Sequence, residues 1–212
     1  MIKTFLSLVE NQWVYGGEKY GLYSSSVKES TDCLFDTFGA NWLYGTCAKY
    51  CYRFKNLARE RDLLKIATYQ FLIWLKRGFH VIDSGIDSPP INTNIKIKTE
   101  NFTLFSAEIL KEVSKFDYLD YTIGQLETEV TKHIDSEAKF KVTDKTVMAF
   151  TDDELLELIS KILSGFAVTE WKNIKKIDLQ EVFILCFKLW NRKFSTTPGS
   201  DADVWNEKNN GK

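Results

Sequence analysis

NWLYGTCAKYCYRFKNLARERDLLKIATYQFLIWLKRG, residues 41–78, is the stretch on which the fold turns. Between Ala58 and Arg77, the residues Leu63, Leu64, Ile66, Ala67, Phe71, Leu72, Trp74 and Leu75 recur at three- and four-residue steps, the period of an amphipathic helix. Lys76 and Arg77 make a basic last turn and Gly78 follows, as helix C-termini prefer. Upstream, Asn41 is placed to cap a helix running to about Lys55. Asn56 to Ala58 leaves room for a tight turn, so the stretch reads as an antiparallel helical hairpin.

Working outward, Ile2, Phe5, Leu6, Leu8, Val9 and Trp13 mark a first helix over 2–13. Gly16, Gly17, Gly21 and Ser24–Ser26 make 14–30 a loop. Thr31-Asp32 can cap a short helix to Phe38, which Gly39 breaks. Asp83, Ser84, Gly85, Pro89 and Pro90 mark an irregular insert over 79–101, in which residues 91–98 alternate and predict a short strand or extended arm. Helices are expected at about 104–116 and 118–134, with a polar linker over 135–150. Thr151-Asp-Asp-Glu154 is a capping-box pattern that opens a helix to about Phe166. A last helix spans Asp178 to about Lys193, and 195–212 is a loose tail. The expected fold is an all-α bundle of six to eight helices, with N-terminal (1–78) and C-terminal (102–194) parts in one domain.

Composition narrows the function classes. The chain has 212 residues, enough for a core without disulfides or metals. With 28 Lys+Arg against 29 Asp+Glu, it lacks the basic surplus of a general nucleic-acid binder. No segment reaches the roughly 18 to 20 apolar residues of a membrane span. The N-terminal apolar stretch is too short for a signal peptide, so the expected location is cytoplasmic. Cys33, Cys47, Cys51 and Cys186 lie in apolar periodic segments and read as buried free thiols.

Motif-borne chemistry is sparse. The chain has no GxxxxGK[ST], HExxH or GxSxG. Of its two histidines, His80 follows one helix end and His133 closes another helix, and both read as surface or capping residues. Trp42, Trp74, Trp171 and Trp190 read as core, and Lys172, Lys175 and Lys176 as a solvated face. One echo stands out: Asp62-Leu63 precedes Trp74 as Asp178-Leu179 precedes Trp190.

The hairpin also carries the candidate site. Lys49 and Arg53 are four residues apart and share a helical face. Tyr50 and Tyr69 offer stacking surfaces with a polar tip. Glu60, Asp62 and Lys65 open the second helix, which the hairpin brings near the cations. Cations that grip phosphate and carboxylates that hold Mg²⁺ are the parts phosphoryl chemistry needs. The same residue types also make a salt bridge between two amphipathic helices, with Tyr and Cys as core.

The order of these residues resembles a phage domain family that includes a small nucleotide kinase without a P-loop. The matching positions are Gly45, Lys49, Tyr50, Arg53, Glu60, Asp62, Leu63, Lys65, Ala67 and Tyr69, within residues 38–78. Thr46 stands where the family carries Asn, and Phe54-Lys55-Asn56 where it carries Ala-Gly-Lys. The resemblance implies a (deoxy)nucleotide phosphate as ligand, with Lys49, Arg53 and Asp62 as catalytic residues. It implies that Gly45, Tyr50, Lys65 and Tyr69 contact substrate and that Glu60 and Asp62 hold Mg²⁺. It further implies phosphoryl transfer or diphosphate hydrolysis in a homo-oligomer. Asp153-Glu154-x-x-Glu157 and Asp178-x-x-Glu181 are similar, more faintly, to the acidic helices of all-α MazG-like nucleotide pyrophosphohydrolases; helix-start chemistry accounts for the same residues. The competing expectation is a non-enzymatic helical interaction protein, viral or host-binding.

Overall fold

The hairpin is formed by α3 (Ala40–Leu57) and α4 (Glu60–Lys76), joined by Ala58 and Arg59 alone. So tight a connection needs one left-handed residue, and Ala58 supplies it with φ 46°. Its N–H donates to the Phe54 carbonyl at 2.8 Å, which satisfies the end of α3. At the other end of α3, Gly39 (φ 64°) takes the cap position expected of Asn41, a conformation that favours glycine.

This structure, a computed structural model of the chain, describes residues 1–19, 30–82, 95–115 and 150–196. In addition to the hairpin it contains α1 (Ile2–Lys19), α2 (Ser30–Phe38), the single-turn α5 (Phe79–Ile82), α6 (Ile95–Glu112), α7 (Asp152–Val168) and α8 (Lys176–Phe194), with a 3₁₀ turn at Trp171–Asn173. No strand occurs among the described residues, and the fold is all-α.

Two helices form the centre. Phe71 to Leu75 on α4 and Val182 to Trp190 on α8 are buried without interruption, the mark of a helix surrounded by others. They run antiparallel: Glu60 at the start of α4 meets Trp190 near the end of α8, and Arg77 after α4 bonds the carbonyls of Lys172 and Ile174 just before α8. α1 inserts Phe5 among Phe183, Phe187 and Trp190. α6 brings Phe102 and Phe105 onto Phe71. α7 packs on both α3 and α8. Buried residues from both halves thus share one core.

Several boundaries differ from the sequence reading. α1 runs through Gly16 and Gly17 to Lys19, beyond the expected end at Trp13. Its packing on α4 outweighs the glycine penalty of about 1 kcal/mol per residue. The insert expected over 79–101 holds α5 and the start of α6. Residues 95–98, expected to be extended, are helical, while 91–94 lie outside the described residues. Four alternating residues with no partner strand among the described residues do not sustain a β element, and the buried positions Phe102, Phe105 and Ile109 impose a helical period just downstream. The helix expected at 118–134, the linker at 135–150 and the tail from 197 also lie outside the described residues. The Thr151 capping box forms in full: the Glu154 N–H donates to Thr151 Oγ1 at 3.2 Å, and the Thr151 N–H to Glu154 Oε2 at 2.6 Å. No described helix is long and apolar enough to cross a membrane.

Candidate functional site

The seam between α3 and α4 gathers most of the predicted site residues. Helical spacing puts Lys49 and Arg53 of α3 beside Lys65 of α4, and all three cations surround one ring. Lys49 Nζ lies 4.7 Å, Lys65 Nζ 5.0 Å and the Arg53 guanidinium carbon 5.6 Å from the centroid of Tyr50. Lys65 Nζ also donates to the Tyr50 hydroxyl at 3.2 Å. Cation–π attraction helps tolerate this crowding. Tyr50 is buried and stacks on Tyr69 at 6.2 Å, and Trp42 meets Tyr69 edge-on at 5.8 Å. Gly45 lies on the exposed face of α3, one turn before Lys49, with open space where a Cβ would project.

The two carboxylates of α4 behave differently. Asp62 is fully buried, and among the described residues neither of its oxygens has a hydrogen-bond partner. Arg53 Nη2 stands 3.5 Å from its Oδ1, with the Arg53 side chain 32% exposed. Burial raises the Asp62 pKa above 3.8, opposed by the charges of Arg53, Arg61, Arg59 and Lys65. Glu60, two residues earlier, accepts a 2.7 Å hydrogen bond from the Trp190 indole inside the core. Side chains two apart on a helix point to opposite sides, so the carboxylates engage different neighbours, Arg53 on α3 and Trp190 on α8. No group of three or more His, Cys, Asp or Glu suited to a metal occurs among the described residues.

The other sequence candidates fall elsewhere. Glu154 is occupied by its cap, while Asp153 and Glu157 are exposed. Asp178 sits inside the first turn of α8 rather than capping it. Cys47, Cys51 and Cys186 are buried, but Cys33 is exposed, on the outer side of α2. Burial raises the Cys47 and Cys186 thiols well above their ordinary value and pushes Cys51 up to about 11, so these thiols stay protonated and unreactive. His80 is half-buried against Trp74, with its Nδ1 enclosed and its pKa lowered by burial. His133 lies outside the described residues. Lys172 and Lys175 are exposed as expected, whereas Lys176 pairs with Glu108 at 2.8 Å. Trp42 is the aromatic that sequence reasoning left out of the site. Its signal was its position, seven residues before Lys49 on the same side of α3.

Comparison of the chain with known protein families, curated proteins and solved structures found no match.

Proposed function

We propose that the α3–α4 seam binds the phosphate of a (deoxy)nucleotide, and that the protein is a phage-type enzyme of nucleotide metabolism. The observation that carries this reading is the convergence of Lys49, Arg53 and Lys65 from two helices on a single tyrosine, with Asp62 as the carboxylate beside them. Beyond Arg53, which faces Asp62, the seam brings two further cations to the same ring. Lys49, the most exposed, meets the phosphate first, and the planar Arg53 fork suits two of its oxygens. Gly45 leaves the ligand room along the helix, and Tyr69 with Trp42 takes the base.

We assign Mg²⁺ to Asp62 as the carboxylate nearest the cations; both its oxygens are enclosed and without a hydrogen-bond partner among the described residues, so the ion would reach them only with a rearrangement of the seam. Glu60, given the same role by sequence, is held by Trp190 instead. When bound, the ion would neutralise charge on the phosphates; Arg53 and Lys49 orient them. The activity we propose is phosphoryl transfer or diphosphate hydrolysis at that phosphate. A homo-oligomer and residence in the cytoplasm, the host's if the chain is viral, belong to the same reading.

A thermal-shift screen of nucleotides with and without Mg²⁺ tests it. A ligand at about 100 times its Kd stabilises the folded state by about 2.7 kcal/mol. One nucleotide class should raise the melting temperature in a Mg²⁺-dependent way, and Lys49→Ala/Arg53→Ala should abolish the shift. A cooperative melt that no nucleotide moves would refute the reading in favour of the helical interaction protein.

A further inference from the structure

The last turns of α8 grip the α3–α4 turn at two points. Trp190 Nε1 donates to Glu60 Oε1 at 2.7 Å, with Trp190 fully buried and Glu60 1% exposed. Phe194 packs edge-on against Phe54 at 6.4 Å. Phe54 is the neighbour of Arg53 in the chain, and Glu60 lies two residues before Asp62. Each member of the Arg53–Asp62 pair is therefore flanked by a residue that α8 holds. The pair bridges two helices across a link of only Ala58 and Arg59, so its 3.5 Å separation depends on how the helix ends meet. An indole N–H can only donate and a carboxylate only accept, which makes the Trp190–Glu60 contact directional as well as space-filling.

We propose that Trp190 is a positioning residue for the Arg53–Asp62 pair, acting through Glu60. The end of α8 then sets the geometry of the phosphate site from the far half of the chain. As a role in binding, this rests on the nucleotide-phosphate reading above; as a mechanical link, it does not.

The same molecule contains a matched control. Trp74 donates its indole N–H to Glu108 Oε2 at 3.1 Å, at the opposite end of the α4–α8 pair. Trp190→Phe and Trp74→Phe each remove one indole–carboxylate hydrogen bond and keep a large ring. Backbone amide exchange of residues 58–64 is measured in ligand-free wild type, both Phe variants, Glu60→Ala and Glu60→Gln, together with nucleotide affinity. Trp190→Phe and Glu60→Ala should speed exchange in this turn about tenfold beyond their effect on global stability, the scale of losing one buried hydrogen bond. Trp74→Phe should not. Glu60→Gln, whose amide oxygen still accepts from the indole, should stay near wild type. Nucleotide affinity should fall about threefold to tenfold in Trp190→Phe and hold in Trp74→Phe. Equal behaviour of the two Phe variants in the turn would overturn the proposal. If Trp190→Phe does not fold, the Glu60 pair decides the question by the same exchange readout. A wild type that binds no nucleotide would refute the phosphate reading, and the exchange result would still decide the link.

Discussion

At one end of the α4–α8 pair, Glu108 accepts from the Trp74 indole at 3.1 Å, Gln180 at 3.2 Å and Lys176 at 2.8 Å. At the other end, Trp190 occupies Glu60, and Asp62 beside it is buried with neither oxygen hydrogen-bonded among the described residues. Both ends use an indole donating to a carboxylate. The Glu108 end is saturated, with one carboxylate meeting three donors. The Asp62 end carries unused acceptor capacity in a cluster of cations. A saturated polar cluster is a fastener; an unsaturated one costs stability, and under the proposed function a ligand completes it.

The largest expected effect breaks this comparison at its saturated end. Glu108→Leu leaves the Trp74 indole, the Gln180 amide and the Lys176 ammonium without this acceptor. Chemical denaturation should show a loss of about 2 to 3 kcal/mol, discounted from a fully buried case because Lys176 is one-third exposed. A loss within experimental error would mean that Glu108 is no fastener.

Asp62→Asn should do the reverse and stabilise the free protein at neutral pH, since burial is the dominant influence on this carboxyl. The pH dependence fixes the sign. Because burial raises the native pKa above 3.8, the folded state keeps the Asp62 proton to higher pH than the unfolded chain does. Stability from this group is therefore present below pH 3.8 and is lost as pH rises through the native pKa. The advantage of Asp62→Asn over wild type should be smallest below pH 3.8 and grow toward neutrality. The same variant should lose the Mg²⁺-dependent part of the nucleotide response. A constant advantage at all pH values would remove Asp62 from the account.

Gly45→Ala gives the smallest effect and sharpens the picture of the seam. The added methyl meets open space on a helix, so the free protein should gain about 0.5 to 1 kcal/mol. If the ligand lies along α3, nucleotide affinity should fall in the same variant. Unchanged affinity would place the ligand away from Gly45.

The parts of this molecule that were legible in sequence are the parts governed by local rules. The α3–α4 hairpin, the Thr151–Glu154 box and the buried positions of Trp74 and Trp190 follow from periodicity and capping. Residues 95–98 misled because Ile-Lys-Ile-Lys alternation is a strand pattern only when a partner strand exists. Gly16 and Gly17 misled because packing of α1 on α4 overrides their propensity. In the site, the i,i+4 spacing placed Lys49 and Arg53 correctly on one face. The separation of Glu60 from Asp62 was also implicit in their two-residue spacing. The Trp190–Glu60 contact spans 130 residues. The twelve-residue Asp-Leu to Trp echo marked both tryptophans, but spacing along one helix does not reveal which carboxylate on another will meet them.

The most direct test follows the indole N–H signals by ¹⁵N-edited NMR while the best nucleotide from the thermal screen is titrated with Mg²⁺. Assignments come from Trp42→Phe, Trp74→Phe and Trp190→Phe. A ligand at the cation cluster should shift the Trp42 and Trp190 signals and leave Trp74, at the saturated end, in place. Shifts confined to Trp74, or no shift in any indole under saturating nucleotide, would contradict a phosphate site between α3 and α4.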